Sequence, residues 1–379
     1  MRVLQICHSY YPPFLDCARQ YAALLKNSPY KVLTVYLTGE PNTDVIVGSA
    51  SDEVVFLGYK SKQVSGLKLG AIAKIKQIVA NEHFIFCIAH RAKPTYLALL
   101  ATSLPVISVH HNYNDYSRWS RRLLVNYYQK RMLMLGVSDS VRDDLRRDLK
   151  DWPAEHIQTL YNRIDVNATK AQLTTKIVAR DALNLPQSVW VIGNVGRLHH
   201  DKDQETLIKA FARVLPQLSP DCLLVIVGKG PLEQSLKQLV ASLKIESNIV
   251  FTGNVPDAKR YFKAFDLFVL ASDMEPFGMV LLEAMASELP IICSDCGGGA
   301  EVIRGVGDLF MFGNVEKLSL LMLKHYQQNN KKLNKEKSAQ QMAEKLNDFF
   351  SDGAAKKQFF ELTLIKKWLQ KSAFSKKNT

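Results

Sequence analysis

One unit recurs along this chain: a short, mainly apolar run, a polar or glycine-bearing loop, then a segment with helical periodicity. Such runs are wholly apolar at 84–89, 223–227, 267–270 and 291–293, and carry one or two polar residues or a glycine at 3–7, 31–37, 105–109, 134–138, 189–195 and 249–252; the mixed segment 156–160 closes the first half. Apolar runs of this length read as strands buried on both faces, and strands alternating with helices read as parallel sheet. The chain is therefore expected to be α/β, and ligands in such sheets bind outside the carboxyl ends of the strands. The polar stretch 166–187 reads as a linker between two successive α/β halves. That gives an N-terminal domain over 1–170 and a C-terminal domain over 171–355, facing each other across a cleft, a common place for a ligand. The last helix, about 356–379, is expected to pack back on the first domain.

At 379 residues the chain has ample length for two cores. Its net charge of +13 favours an anionic partner, such as a membrane surface or a phosphorylated molecule. Six cysteines in so long a chain do not make a disulfide framework and read as reduced, cytosolic thiols. The first residues run directly into a strand, so no signal peptide is expected. No run of 18 apolar residues occurs, so no membrane span is expected either.

The stretch 266–303 carries the clearest chemistry. A buried strand leads to a loop bearing Glu275. Pro276 suits the first turn of the helix that follows, where its missing N–H costs nothing. The backbone N–H groups near Gly278, Met279 and Val280 lack intrahelical acceptors and favour an anion. Seven residues separate Glu275 from Glu283. If most of that span is helical, the two carboxylates lie on the order of 10 Å apart along the axis. That is too far for one metal ion or one bond-cleaving carboxylate pair. It suits a long ligand with hydroxyls at both ends and phosphate between, the layout of a nucleotide sugar. A surface helix with two unrelated glutamates is the plainer alternative.

The residues around the two glutamates decide between these. Glu275-Pro-Phe-Gly-Met-Val-Leu-Leu-Glu283-Ala-Met-Ala, followed by Leu-Pro-Ile-Ile and Gly-Gly-Gly-Ala-Glu-Val-Ile, closely resembles the E-x7-E signature of the retaining glycosyltransferases grouped as family 4. Gly196-Arg197-Leu198 with Lys202 resembles that family's G-R-L-x-x-x-K, whose Arg and Lys hold the donor's phosphates. The resemblance implies a GT-B fold of two Rossmann-like domains and a retaining transfer of a hexosyl or deoxyhexosyl group from a UDP-, GDP- or dTDP-sugar to an acceptor hydroxyl. It assigns Arg197 and Lys202 to the leaving diphosphate, with Gly278, Met279 and Val280. It assigns Glu275 to the sugar and Glu283 to the ribose, and makes the backbone at Asn254 and Val255 a wall for the base. The run ending in His110-His111 resembles the segment that closes on an active-site histidine, and His111 fits that position best, with His110 beside it. No metal or other cofactor is expected. Asp201-Lys202-Asp203 is formally a D-x-D, but it overlaps the phosphate lysine.

Three positions depart from the family pattern. The loop 12–16 has no glycine, leaving Asp16 and Arg19 as candidate acceptor contacts; Arg163 and Glu288 stand where glycine is usual. Arg163 could alter a hinge or add a cation to the cleft. The basic, aromatic segments 118–131 and 356–379 could dock on an anionic membrane. Nucleic acid is disfavoured, since no recognised module accompanies the charge. Together these features suggest a peripheral enzyme at the cytoplasmic face of the inner membrane, acting on a lipopolysaccharide-core or lipid-linked glycan. A non-hydrolysing nucleotide-sugar epimerase and a non-catalytic glycan-binding subunit remain as alternatives.

Overall fold

Two parallel sheets form, with strands at the predicted runs and two more, at 53–59 and 308–310, that are not among those runs. The computed structural model describes residues 1–11, 14–329 and 332–375, the last stretch with side chains over 336–371. The first sheet holds β1 (Arg2–Cys7), β2 (Lys31–Thr38), β3 (Glu53–Tyr59), β4 (Phe84–His90), β5 (Val106–His110), β6 (Met132–Gly136) and β7 (Ile157–Thr159), in the order β3-β2-β1-β4-β5-β6-β7. The second holds β8 (Val191–Val195), β9 (Leu223–Val227), β10 (Ile249–Gly253), β11 (Leu267–Leu270), β12 (Ile291–Ser294) and β13 (Asp308–Phe310), in the order β10-β9-β8-β11-β12-β13. Neighbouring strands run parallel throughout. Strands β4, β5, β6 and β9 are buried at every position, as sheets covered on both faces require. Strand order reverses between β1 and β4 and between β8 and β11, the places where loops diverge and leave room for a ligand. This is the two-domain Rossmann-like arrangement of GT-B.

The chain divides into two compact units, Met1–Arg163 with the segment from Asp352 on, and Ile164–Ser351. The first boundary thus falls at 163/164, earlier than the 170 read from the sequence. The physical reason is that 166–187 is not a linker. Asp165 and Thr175 cap two short helices, Val166–Gln172 and Lys176–Ala182. Arg180 on the second is wholly buried and donates to Asp266 Oδ2 at 2.8 Å and to the carbonyls of Ala264, Pro186 and Gln187.

The returning segment completes the first unit. The helix Asp352–Glu361 packs on Phe14–Leu25, and the helix Thr363–Ser375 packs on β4. Phe359 and Ile365 are fully buried, with the Phe359 ring 6.5 Å from that of Phe86. Arg163, the last residue before that boundary, is not an exposed cation. Its backbone does not need the left-handed region, so glycine is dispensable there. Its side chain is fully buried in the first unit, where Nε donates to Asp352 Oδ1 at 2.8 Å and Nη2 to the Gln20 carbonyl.

The helix expected to start at Pro276 instead spans Met279–Ala286. Gly278, at φ +86, turns the chain out of any helical path before it. Pro276 therefore lies in the preceding loop, and the helical rise does not set the distance from Glu275 to Glu283. Glu288 does hold a glycine-like φ of +61. In the loop 12–16, Pro12 and Pro13 lie outside the described residues, while Phe14 to Asp16 belong to the first helix.

Candidate active site

The loops after β8 and β11 leave the second sheet side by side, and they carry the central pair. Lys202 Nζ donates to Glu275 Oε2 at 2.7 Å, with 9% of the glutamate side chain exposed. Ser272 Oγ also donates to Oε2, at 3.3 Å. Asp201 contacts both neighbouring side chains, with Arg197 Nη2 at 3.4 Å and His199 Nδ1 at 2.5 Å. The two loops are joined by their backbones, through Asp273 N–H donating to the Asp201 carbonyl at 3.0 Å. Asp203 Oδ1 accepts from the Thr206 N–H and caps the following helix, so the two aspartates of the D-x-D have separate local partners.

Glycines let backbone crowd against this pair. A Cβ on Gly298 would sit 2.2 Å from the Pro276 carbonyl oxygen, and one on Gly299 would sit 3.2 Å from Glu275 Cγ. The Gly298 N–H donates to the Glu275 carbonyl at 2.8 Å, and Ser294 Oγ donates to the Ser272 carbonyl at 2.5 Å. Ser272, Ser294, Gly298 and Gly299 thus brace Glu275, a role the sequence reading did not assign. The run of three glycines was its visible signal. Gly298→Ala has no flexible neighbour to displace, so it is expected to cost about 2 kcal/mol of overpacking strain. For a unit of this size that lowers Tm by about 6 °C. A calorimetric trace matching the parent would show that the loop yields freely.

The other residues that the resemblance assigns to a donor are more dispersed. Arg197 is 72% exposed, and its side chain joins the cluster through Asp201. The N–H groups of Gly278, Met279 and Val280 open their helix three to five positions after Glu275, with no acceptor available in the preceding turn. Glu283 is part-buried farther along that helix. Asn254 and Val255 follow β10 at the sheet edge, exposed and part-exposed.

In the first unit the histidines separate sharply. His110 is fully buried, held by Ser108 Oγ at Nε2 and Asp115 Oδ2 at Nδ1, each at 2.7 Å. It braces the loop after β5 and is not placed to contact an acceptor. His111 is part-exposed and ends a directed chain. Gln5 Nε2 donates to the Ala18 carbonyl and Thr34 Oγ1, which turns its Oε1 toward His90 Nε2 at 3.3 Å. His90 Nδ1 then accepts from His111 Nε2 at 3.3 Å, and His111 Nδ1 faces the Cys17 thiol at 3.6 Å. Burial, then the charges of neighbouring groups, push the His90 pKa down to about 3 and His111 well below its ordinary value. His111 is thus a neutral ring whose tautomer the Gln5 amide sets. Asp16 and Arg19 bind each other, Arg19 Nη2 to Asp16 Oδ1 at 2.8 Å, and Gln20 Nε2 donates to the second Asp16 oxygen.

The two basic segments also differ. The helix Trp119–Tyr128 exposes Trp119, Leu123 and Tyr127 along one stripe. The tail turns Phe359 and Ile365 into the first unit's core, where they cannot serve as interfacial anchors; its residues 376–379 lie outside the described residues.

Residues 176–361 match the family described as Glycosyl transferases group 1. The chain is 27% identical over 262 residues to an N-acetyl-alpha-D-glucosaminyl L-malate synthase of Bacillus anthracis, covering 66% of this chain and 67% of that protein. It is 29% identical over 258 residues to an N-acetylgalactosamine-N,N'-diacetylbacillosaminyl-diphospho-undecaprenol 4-alpha-N-acetylgalactosaminyltransferase of Campylobacter jejuni, covering 63% of this chain and 66% of that protein. The chain thus spans about two thirds of the length of these curated relatives. Among solved structures, Anabaena Alr3699/HepE in complex with UDP superposes with a TM-score of 0.78 at 21% identity, covering 95% of this chain and 99% of that one.

Proposed function

We propose that this chain, which carries a group 1 glycosyl transferase domain on a GT-B fold, moves a sugar from a nucleotide-activated donor to an acceptor hydroxyl with retention at the anomeric carbon. The observation that carries this reading is the buried Lys202–Glu275 pair at the strand-order reversal of the second sheet. In this reading the acceptor oxygen bonds to the anomeric carbon as the bond to the diphosphate breaks. The leaving diphosphate takes the acceptor's proton, so no enzyme nucleophile is needed. Lys202, Arg197 and the helix start at Gly278, Met279 and Val280 stabilise the departing charge. Glu275 holds sugar hydroxyls while paired to Lys202, and Glu283 reaches the ribose. With two cations available to the diphosphate, the reaction proceeds without a metal ion.

A UDP-sugar is the first donor to test, because the Anabaena neighbour was solved with UDP; GDP- and dTDP-sugars follow. A lipid-linked or lipopolysaccharide-core glycan is the proposed acceptor. The printed activity of the Campylobacter relative, on a diphospho-undecaprenol-linked substrate, supports it, as does the net charge of +13. Among the described residues no helix is long and apolar enough to cross a membrane. Attachment at the cytoplasmic face would then be peripheral, through the helix Trp119–Tyr128.

The test is a donor screen by thermal shift. A cognate donor at a hundred times its Kd stabilises the second unit by about 2.7 kcal/mol, a Tm rise of about 5–10 °C. The shift is expected to survive EDTA. A panel of UDP-, GDP- and dTDP-sugars that leaves Tm unmoved would sink the proposal.

A further inference from the structure

The first unit contains a pocket of about 350 Å³ lined by Lys68, Lys93 and Arg121, with Tyr96, Tyr116 and Ser120 among its walls and no carboxylate. Each cation stands at the start of a different helix. Lys68 is the N-cap of Leu69–Ala80, Lys93 is the second residue of Ala92–Ala101, and Arg121 is in the first turn of Trp119–Tyr128. None of the three helices has an acidic residue in its first turn. A helix start carries partial positive charge and ordinarily selects against cations. Three such starts with three cations around one cavity make an arrangement that is costly while empty and favourable once an anion enters. The repulsion registers on Lys68, whose pKa is pushed down first by burial and then by Lys93 and Arg121.

The rim narrows the class of anion. Leu67 and Leu69, on either side of Lys68, are each 69% exposed. Trp119, 66% exposed, directly precedes Ser120, and Leu123 is exposed one turn further on. Large apolar side chains held in water beside a cationic pocket suit a bilayer surface, where they enter the headgroup layer while the cations meet phosphate. Lys68 is also held in place, its Nζ 4.2 Å from the Tyr96 ring centroid and donating to the Gly66 carbonyl at 2.6 Å.

We propose that this pocket is a discrete phosphate site that seats the headgroup of an anionic phospholipid, with Lys68, Lys93 and Arg121 as its cations. It goes beyond diffuse attraction of a basic helix to a membrane. It also stands apart from the sugar-transfer reading, since vesicle binding needs neither donor nor acceptor and can succeed where transfer fails.

The experiment is flotation of the full-length chain with phosphatidylcholine vesicles, with or without phosphatidate, at about 0.15 M salt, where exposed charges are screened. The parent is expected to float only with phosphatidate. Lys68→Asn with Lys93→Gln removes two charges, and asparagine tolerates the φ of +56 at residue 68. This variant is expected to lose about thirtyfold in apparent affinity. Lys74→Ala with Lys76→Ala removes two exposed charges from the same helix region and should change little. Ser120→Asp puts an anion in the pocket wall at a helix start, which favours folding, and should abolish flotation with Tm unchanged or raised. Equal losses in the two double variants, or parent-like flotation of Ser120→Asp, would overturn the site. So would calorimetric saturation by glycerol 3-phosphate in a parent that ignores vesicles, because the anion would then be soluble.

Discussion

Glu275→Gln is expected to lower the rate of sugar transfer by about a hundredfold to a thousandfold while leaving the second unit folded. Glutamine keeps the shape and one oxygen for Lys202 Nζ, which now sits 2.7 Å from Glu275 Oε2. What it loses is the negative charge in a site where little water remains to replace it. Removing one preorganised electrostatic group from such a site costs on that order in rate. The split between parameters carries the interpretation. Lys202 and Arg197 remain available to the diphosphate, so KM should move much less than kcat, the sign of an interaction strongest in the transition state. Steady-state kinetics with the donor found by thermal shift would decide it. A kcat within threefold of the parent would reduce Glu275 to a structural partner of Lys202.

The second large effect is on stability. Asp352→Ala leaves the fully buried Arg163 guanidinium without its carboxylate; because the Asp352 side chain is 37% exposed, the first unit is expected to lose about 2 kcal/mol. Arg163→Met together with Asp352→Ala removes both charges and keeps the volume near Tyr21 and Gln20. Its cost should be only about 1 kcal/mol, because no buried charge is left alone. The double variant should therefore be more stable than Asp352→Ala. Urea unfolding of the three proteins would give the ranking, with equal m-values checking that the comparison is fair. If Asp352→Ala unfolds like the parent, the 2.8 Å contact is not holding the return segment.

Much of this architecture was legible because strands buried on both faces must be apolar at every position. That signal located most strands of both sheets, though not the part-buried β3 or the three-residue β13, and the carboxyl ends of the located strands pointed to the loops that matter. Other features were hidden for a physical reason. Lys202 and Glu275 are 73 positions apart, and only the adjacency of β8 and β11 brings them together. Motif resemblance named both residues, but not that they form a pair. Arg163 and Asp352 are 189 positions apart, and nothing local distinguishes a buried arginine from an exposed one. His110 and His111 show the same limit at shorter range. Successive strand residues face opposite ways, but which side is interior depends on what covers the sheet. The tail's aromatics could be read as membrane anchors or as part of an ordinary surface helix; the structure buries Phe359 against Phe86.

The order in which the chain is made gives the Arg163–Asp352 contact a kinetic meaning. Residues 1–163 leave the ribosome long before 352 is synthesised, and until then Arg163 has no counter-charge and Phe86 lacks its cover from Phe359. The continuous unit 164–351 can close as soon as it emerges, whereas the first must wait until residues from 352 onward have been made. A nascent chain cut short before 352 therefore carries an exposed apolar sheet face, and it is the unfinished first unit that a chaperone would have to guard.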